Sequence, residues 1–193
     1  MDEVMEEYLG DGLVFETKLP LKCEVASEQS VVEGMPRAAA RNERLLQCLI
    51  ALDEHRKEVS EEDDDRVAEL LRLEAKLDML LELVSGLVQQ KEDVEVPSGL
   101  RLGAMGMSWS GGEADLQVGQ HAWISLAIDP RLPQSLKLPV LIKEIADHEE
   151  GRWITASFLE QGERFTDLLQ KVIFRHHRRQ VAQLRAEQKR EDD

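Results

Sequence analysis

Few side chains in this sequence sit at spacings that could do bond-making chemistry. The serine closest to a nucleophile's setting is Ser108, in Gly106-Met107-Ser108-Trp109-Ser110. That string lacks the second glycine of a nucleophile elbow and no helix pattern follows it, so it reads as a strand. Five histidines occur. His176 and His177 are adjacent, and neighbours on a helix point about a hundred degrees apart, which does not converge on a metal. Cys23 and Cys48 form no Cys-x-x-Cys pair, so neither a thiolate zinc site nor a disulfide framework is indicated. No glycine loop leads into Lys and Ser or Thr, which removes the usual phosphate cradle of nucleotide hydrolases. Two Arg-x-x-x-Arg strings, Arg37 to Arg41 and Arg175 to Arg179, fall in predicted helices, where the spacing sets two cations one turn apart. The expectation is a non-enzymatic protein with no metal and no cofactor.

The elements that would position any site follow from the hydrophobic pattern. Asp65 to Gln90 is a heptad helix with core positions Leu70, Leu73, Leu77, Leu80, Val84 and Leu87. Leu81, Leu83 and Val88 widen the stripe beyond a two-stranded seam, which favours a bundle, and a tetramer in particular. A helix packed on its own domain is the competing reading. Ahead of it, Ala26 to Met35 reads as a linker and Pro36 as the first turn of a helix running to Val59. Ser60 to Asp65 either caps a second helix or continues one long one.

Leu13 to Val25 is rich in strand-forming residues and is predicted as one strand, or as two broken near Pro20. From Ser98 the period shortens. Strands are predicted over 100–103, 106–110, 122–128, 136–146 and 152–159, with turns at 110–113, 129–134 and 147–151 that carry glycine or proline. A closing helix begins near Gly162, with Phe165, Leu168, Leu169, Val172 and Ile173 on one face, and its outer end, 185–193, is expected to fray. Trp109, Trp123 and Trp153 lie in predicted strands, as core fillers or, for one of them, as a docking surface. The basic stretch 171–190 either complements its own helix dipole or pairs with the acids of 58–65.

The 193 residues hold 24 Lys and Arg against 39 Asp and Glu, a net charge of -15. That balance repels nucleic acid and anionic membrane surfaces. The acidic N-terminus lacks a secretory pattern, and no apolar run has the length to cross a bilayer, so a cytoplasmic protein without membrane insertion is expected.

Strand, helical insert, strands and closing helix, together with LRLGAMGMSWSGGEADLQVG, HAWISLAI and KEIADHEEGRWITASFLEQGERFTDLLQKVIF, resemble the PilZ domain. The likeness runs to the tetrameric, non-consensus members found in xanthomonad-type bacteria. It implies an α+β fold: a small antiparallel PilZ-like β-barrel with a C-terminal helix from 13–25 and 95–175, an inserted helical oligomerisation segment at 36–91 forming a coiled coil or four-helix bundle, and a basic helical tail at 176–193. Many members bind cyclic di-GMP through Arg-x-x-x-Arg before the first strand and Asp or Asn-x-Ser-x-x-Gly between the second and third. Here the second motif aligns with Arg101-Leu102-Gly103-Ala104-Met105-Gly106, which keeps the closing Gly106 but has Arg101 where the acid or amide would stand and Gly103 where the serine would. The nearest counterpart of the first is Lys18 to Lys22, and lysine lacks arginine's planar fork. The resemblance thus implies a homo-oligomeric signalling adaptor, docking on a signalling or pilus-assembly protein, with cyclic di-GMP binding weak or lost. Its alternatives are a true receptor using Lys18, Lys22 and Arg101, and a spacer with no ligand.

Overall fold

In the computed structural model, residues 8–10, 12–58, 73, 76–77, 79–80, 99–111, 115–129, 132, 134–148 and 151–191 are described. The strands are β1 (Phe15–Thr17), β2 (Leu21–Val25), β3 (Leu100–Leu102), β4 (Gly106–Ser110), β5 (His121–Leu126), β6 (Leu136–His148) and β7 (Gly151–Phe158). They form one antiparallel sheet in the order β1-β3-β4-β7-β6-β5-β2. Among the described residues they are accompanied by the long helices α1 (Glu28–Glu58), between β2 and β3, and α2 (Glu163–Glu191), after β7.

The two edge strands of that order, β1 and β2, are consecutive in the chain and joined only by Lys18, Leu19 and Pro20. So short a link reaches about 14 Å, whereas the edges of a flat seven-strand sheet would stand nearly 30 Å apart. The sheet must therefore roll until its edges meet. It does not close: β1 pairs only with β3 and β2 only with β5. The expected barrel is thus a rolled sheet with an open seam. β1 is three residues long and Pro20 has no N–H to offer, so no ladder can run across the link, and Pro20 instead accepts a hydrogen bond from the Ala127 amide at 3.0 Å.

Inside the roll, Leu100, Leu102, Met107, Trp109, Ile124, Leu126, Leu138 and Ile154 make one core, capped by Phe165, Leu169, Val172 and Ile173 of α2 and by Leu45, Leu46 and Leu49 of α1. β4 is buried along its whole length, which is why its sequence does not alternate cleanly. Its polar side chains are satisfied: Ser108 accepts a hydrogen bond from the Thr155 hydroxyl at 3.2 Å, and Ser110 Oγ accepts one from the Gly99 amide at 2.7 Å.

The strands expected after Ser98 all occur, shifted at their ends by no more than two residues. The expected linker is different. α1 begins at Glu28, eight residues before Pro36, because Ser27 caps it: the Ser30 amide donates to Ser27 Oγ at 3.2 Å and Glu28 lies in the first turn. The turns ahead of Pro36 are held by a second small core in which Val31 and Ala38 pack on Trp123. Asn42, fully buried, ties α1 to the sheet, with Nδ2 donating to the Lys137 carbonyl and to Gln161 Oε1, both at 2.8 Å, and Oδ1 accepting from the Lys137 amide at 2.9 Å.

Of the heptad positions, Leu70, Val84 and Leu87 lie outside the described residues. Leu73, Leu77 and Leu80 are helical and are 53%, 59% and 57% exposed in the single chain.

Candidate functional site

A cavity of about 840 Å³ opens where β1, β3 and α2 meet beside the seam. Lys18 enters it from the end of β1, Arg101 from β3, Trp153 from β7, and His176 and Arg179 from α2. The helix is held there by the Phe15 and His176 rings, 5.3 Å apart, and by the Gln180 amide reaching the Glu16 carbonyl at 3.4 Å.

Arg101 organises the cleft. Its guanidinium lies 4.9 Å from the centre of the Trp153 ring, and its Nε donates to Glu16 Oε1 at 2.8 Å. Glu16 is the register partner of Arg101 on β1, so sheet pairing itself brings the two together. The indole comes close because Gly99 has no side chain: a Cβ there would stand 2.8 Å from Trp153 Cη2. An aromatic face covered by a guanidinium, ringed by further cations, suits an anionic ligand with a planar group. Glu16 offsets part of that charge.

Lys18 and Arg101, grouped through the motif resemblance, therefore line one cleft. Lys22 is not among its lining residues. It sits on β2, across the seam, with Nζ 3.2 Å from Glu24 Oε1. Gly103 and Gly106 close the turn between β3 and β4, where the Gly103 amide donates to the Gly106 carbonyl at 2.9 Å. Their missing side chains make room for the chain's own N-terminal turn. A Cβ on Gly103 would run into the Leu9 carbonyl, and one on Gly106 into the carbonyls of Tyr8 and Ala156. Leu9 is 1% exposed and its carbonyl accepts from the Met105 amide at 3.2 Å.

Sequence reasoning missed Arg179. The Arg175–Arg179 spacing was visible, but not that the two diverge: Arg175 donates to the Ile50 carbonyl at 2.8 Å, clamping α2 to α1, while Arg179 turns to the cleft. The three tryptophans also part company. Trp109 fills the main core, Trp123 a satellite core, and Trp153 is half-buried at the cleft.

Neither cysteine is among the residues lining this cleft. Burial, with a smaller contribution from the neighbouring Glu24 charge, pushes the Cys23 thiol from 9.0 up to about 11. Among the described residues no cluster of three or more His, Cys, Asp or Glu could hold a metal, and no helix is long and apolar enough to cross a membrane.

A family model described as "Atypical PilZ domain, cyclic di-GMP receptor" matches residues 46–186. Among solved structures, a Xanthomonas campestris protein described as a tetrameric PilZ domain self-assembled via an unusual helical bundle superposes with a TM-score of 0.73 at 26% identity, over 94% of this chain and 97% of that one. The Bacillus subtilis inhibitor of motility (MotI/DgrA) matches at 14% identity and a TM-score of 0.36, covering 48% of this chain and 44% of that chain, a likeness too weak to carry an argument. No curated protein matches the chain.

Proposed function

This chain belongs to the atypical PilZ domain family, and from that premise we propose that it is a non-enzymatic component of cyclic di-GMP signalling that works as a homo-oligomer, a tetramer by preference. The observation that carries the reading is the seam of Leu73, Leu77 and Leu80, on a helix yet more than half exposed in one chain. Leaving a leucine in water forgoes about 1.5–3 kcal/mol relative to burying it, so such a seam favours a partner helix. A second copy of the same helix is the simplest one, and the Xanthomonas campestris neighbour, described as self-assembled via a helical bundle, supports that choice. In this reading residues 36–91 are the oligomerisation segment, 13–25 with 95–175 the PilZ unit and 176–193 its basic extension. Each unit would be offered to a signalling or pilus-assembly protein in the cytoplasm. Light scattering on the full chain tests it: a mass four times that of the chain is expected, and a monomer would sink the proposal.

The glycine turn of the family motif is taken up by Tyr8 and Leu9, which supports weak or lost cyclic di-GMP binding at that motif. One observation favours the receptor reading instead: Lys18, Arg101, Trp153 and Arg179 share a cleft. Isothermal titration with cyclic di-GMP separates the two. Saturable binding abolished by Lys18→Glu with Arg101→Glu would establish a receptor that uses the cleft, while no binding would leave the adaptor role.

A further inference from the structure

α1 carries Ser30, Gly34, Arg37 and Arg41 at spacings of four, three and four, one stripe along the helix. The stripe lines a hollow of about 330 Å³ together with Trp123 of β5 and Lys137 of β6. Gly34 is what lets the helix approach, since a Cβ there would stand 2.8 Å from Trp123 Cζ2. Lys137 Nζ lies 5.3 Å from the centre of the Trp123 ring. The backbone of Lys137 is locked to α1 by two hydrogen bonds with Asn42, one residue beyond Arg41. Three cations from two elements thus line one hollow, and buried contacts fix the backbones that carry them.

None of the three is in an ion pair among the described residues. The acids nearest on α1 are engaged elsewhere, Glu33 with the Gln29 amide at 3.0 Å and Glu43 with Arg164 at 3.6 Å. In a chain of net charge -15, three cations lining one hollow without a carboxylate partner among the described residues are a local reversal of the protein's field. Two guanidinium forks one helical turn apart can converge on a single tetrahedral oxyanion, with the ammonium as a third donor.

We propose that this hollow binds the phosphate group of a phosphorylated small molecule, held by Arg37 and Arg41 with Lys137 opposite. Trp123 is 8% exposed and has Lys137 near its ring, so it offers no open platform for a base. Recognition therefore lies in the phosphate, and the ligand's organic part contributes little.

The test is isothermal titration of the full chain with pyrophosphate, with ionic strength held constant by chloride. One saturable site per chain is expected, weakened at least tenfold in Arg37→Gln with Arg41→Gln and weakened less in the double lysine variant, which keeps the charge but not the forks. Both arginines are exposed, so the glutamine variant should keep its helical circular dichroism; Lys137→Gln gives an independent reading should it not. GDP and glucose 6-phosphate decide between nucleotide and sugar-phosphate sources, and affinities within threefold of each other are expected. Absent or non-saturating pyrophosphate binding, or binding unchanged in the glutamine variants, overturns the proposal. So does a hexa-aspartate peptide that binds more tightly than pyrophosphate, since the groove would then be a protein contact. Lys18→Glu with Arg101→Glu leaves this binding intact, and the mass in solution is read separately, so failure here and failure of the assembly reading are distinguishable.

Discussion

Leucine is used heavily in two regions of this molecule and meets opposite fates. In the rolled sheet Leu100, Leu102, Leu126, Leu136 and Leu138 are at most 1% exposed, each covered by strands distant in sequence. In the heptad segment Leu73, Leu77 and Leu80 are helical and more than half exposed. A strand buries a side chain by alternation against neighbours that the same chain supplies. A helix with a broad apolar stripe needs another helix, and here the described part of the chain does not provide one. The sheet is thus completed within one molecule, whereas Leu73, Leu77 and Leu80 are left uncovered in the single chain.

The strongest way to break that contrast is Leu77→Asp with Leu80→Asp. Each leucine buried in a bundle is worth about 2–5 kcal/mol on truncation, and an unpaired buried carboxylate costs more. The variant is expected to sediment as a monomer while its tryptophan fluorescence stays native, and an unchanged mass would end the heptad argument. Next in size is Asn42→Ala, on the sheet side of the contrast. It strands the amide and carbonyl of Lys137 and should lower stability by on the order of 2–4 kcal/mol in urea without changing the mass of the assembly. Gly34→Ala should cost about 1–3 kcal/mol, because the added methyl must displace α1 or the Trp123 indole. A stability equal to wild type would mean that this contact is slack.

The smallest effect is chemical. With its thiol pushed from 9.0 to about 11, Cys23 should be alkylated about a hundredfold more slowly at pH 8 than an ordinary thiol, and exposed Cys48 should react first in peptide-mapped iodoacetamide labelling. The same shift has a sign in stability. Folding favours the neutral thiol, so its contribution is fully present below pH 9 and is lost as pH rises from 9 to 11.

Much of the sheet was legible because its punctuation is local. Glycine and proline end the strands near Ser110, Asp129 and His148, and the apolar runs between them could be placed within two residues. The open seam was not, since it depends on where β1 and β2 find partners, and β3 and β5 are remote in sequence. Pro36 misdirected the start of α1. A proline inside a helix costs about 3 kcal/mol, and the packing of Val31 and Gly34 against Trp123, a tertiary contact added to the Ser27 cap, explains why two turns persist ahead of it. For the site, Lys18 and Arg101 could be singled out from a motif. Their cleft companions Arg179 and His176 could not, because which face of α2 meets β1 is set by packing rather than by spacing.

The pairing of β1 with β3 has a kinetic meaning. Phe15 lies opposite Leu102 and Thr17 opposite Leu100, so the intervening stretch 18–99, the insert together with β2 and α1, hangs between the two sides of one short ladder. Closing so long a loop in a disordered chain costs about 2 kcal/mol more entropy than closing a tight hairpin. That ladder should therefore zip last and open first, once the insert has shortened the gap by folding. If the insert orders only on meeting its copies, completion of the sheet becomes concentration-dependent. Hydrogen exchange would then show the Leu100–Leu102 amides gaining protection later in dilute refolding than in concentrated refolding, and protection at a rate independent of concentration would separate the two events.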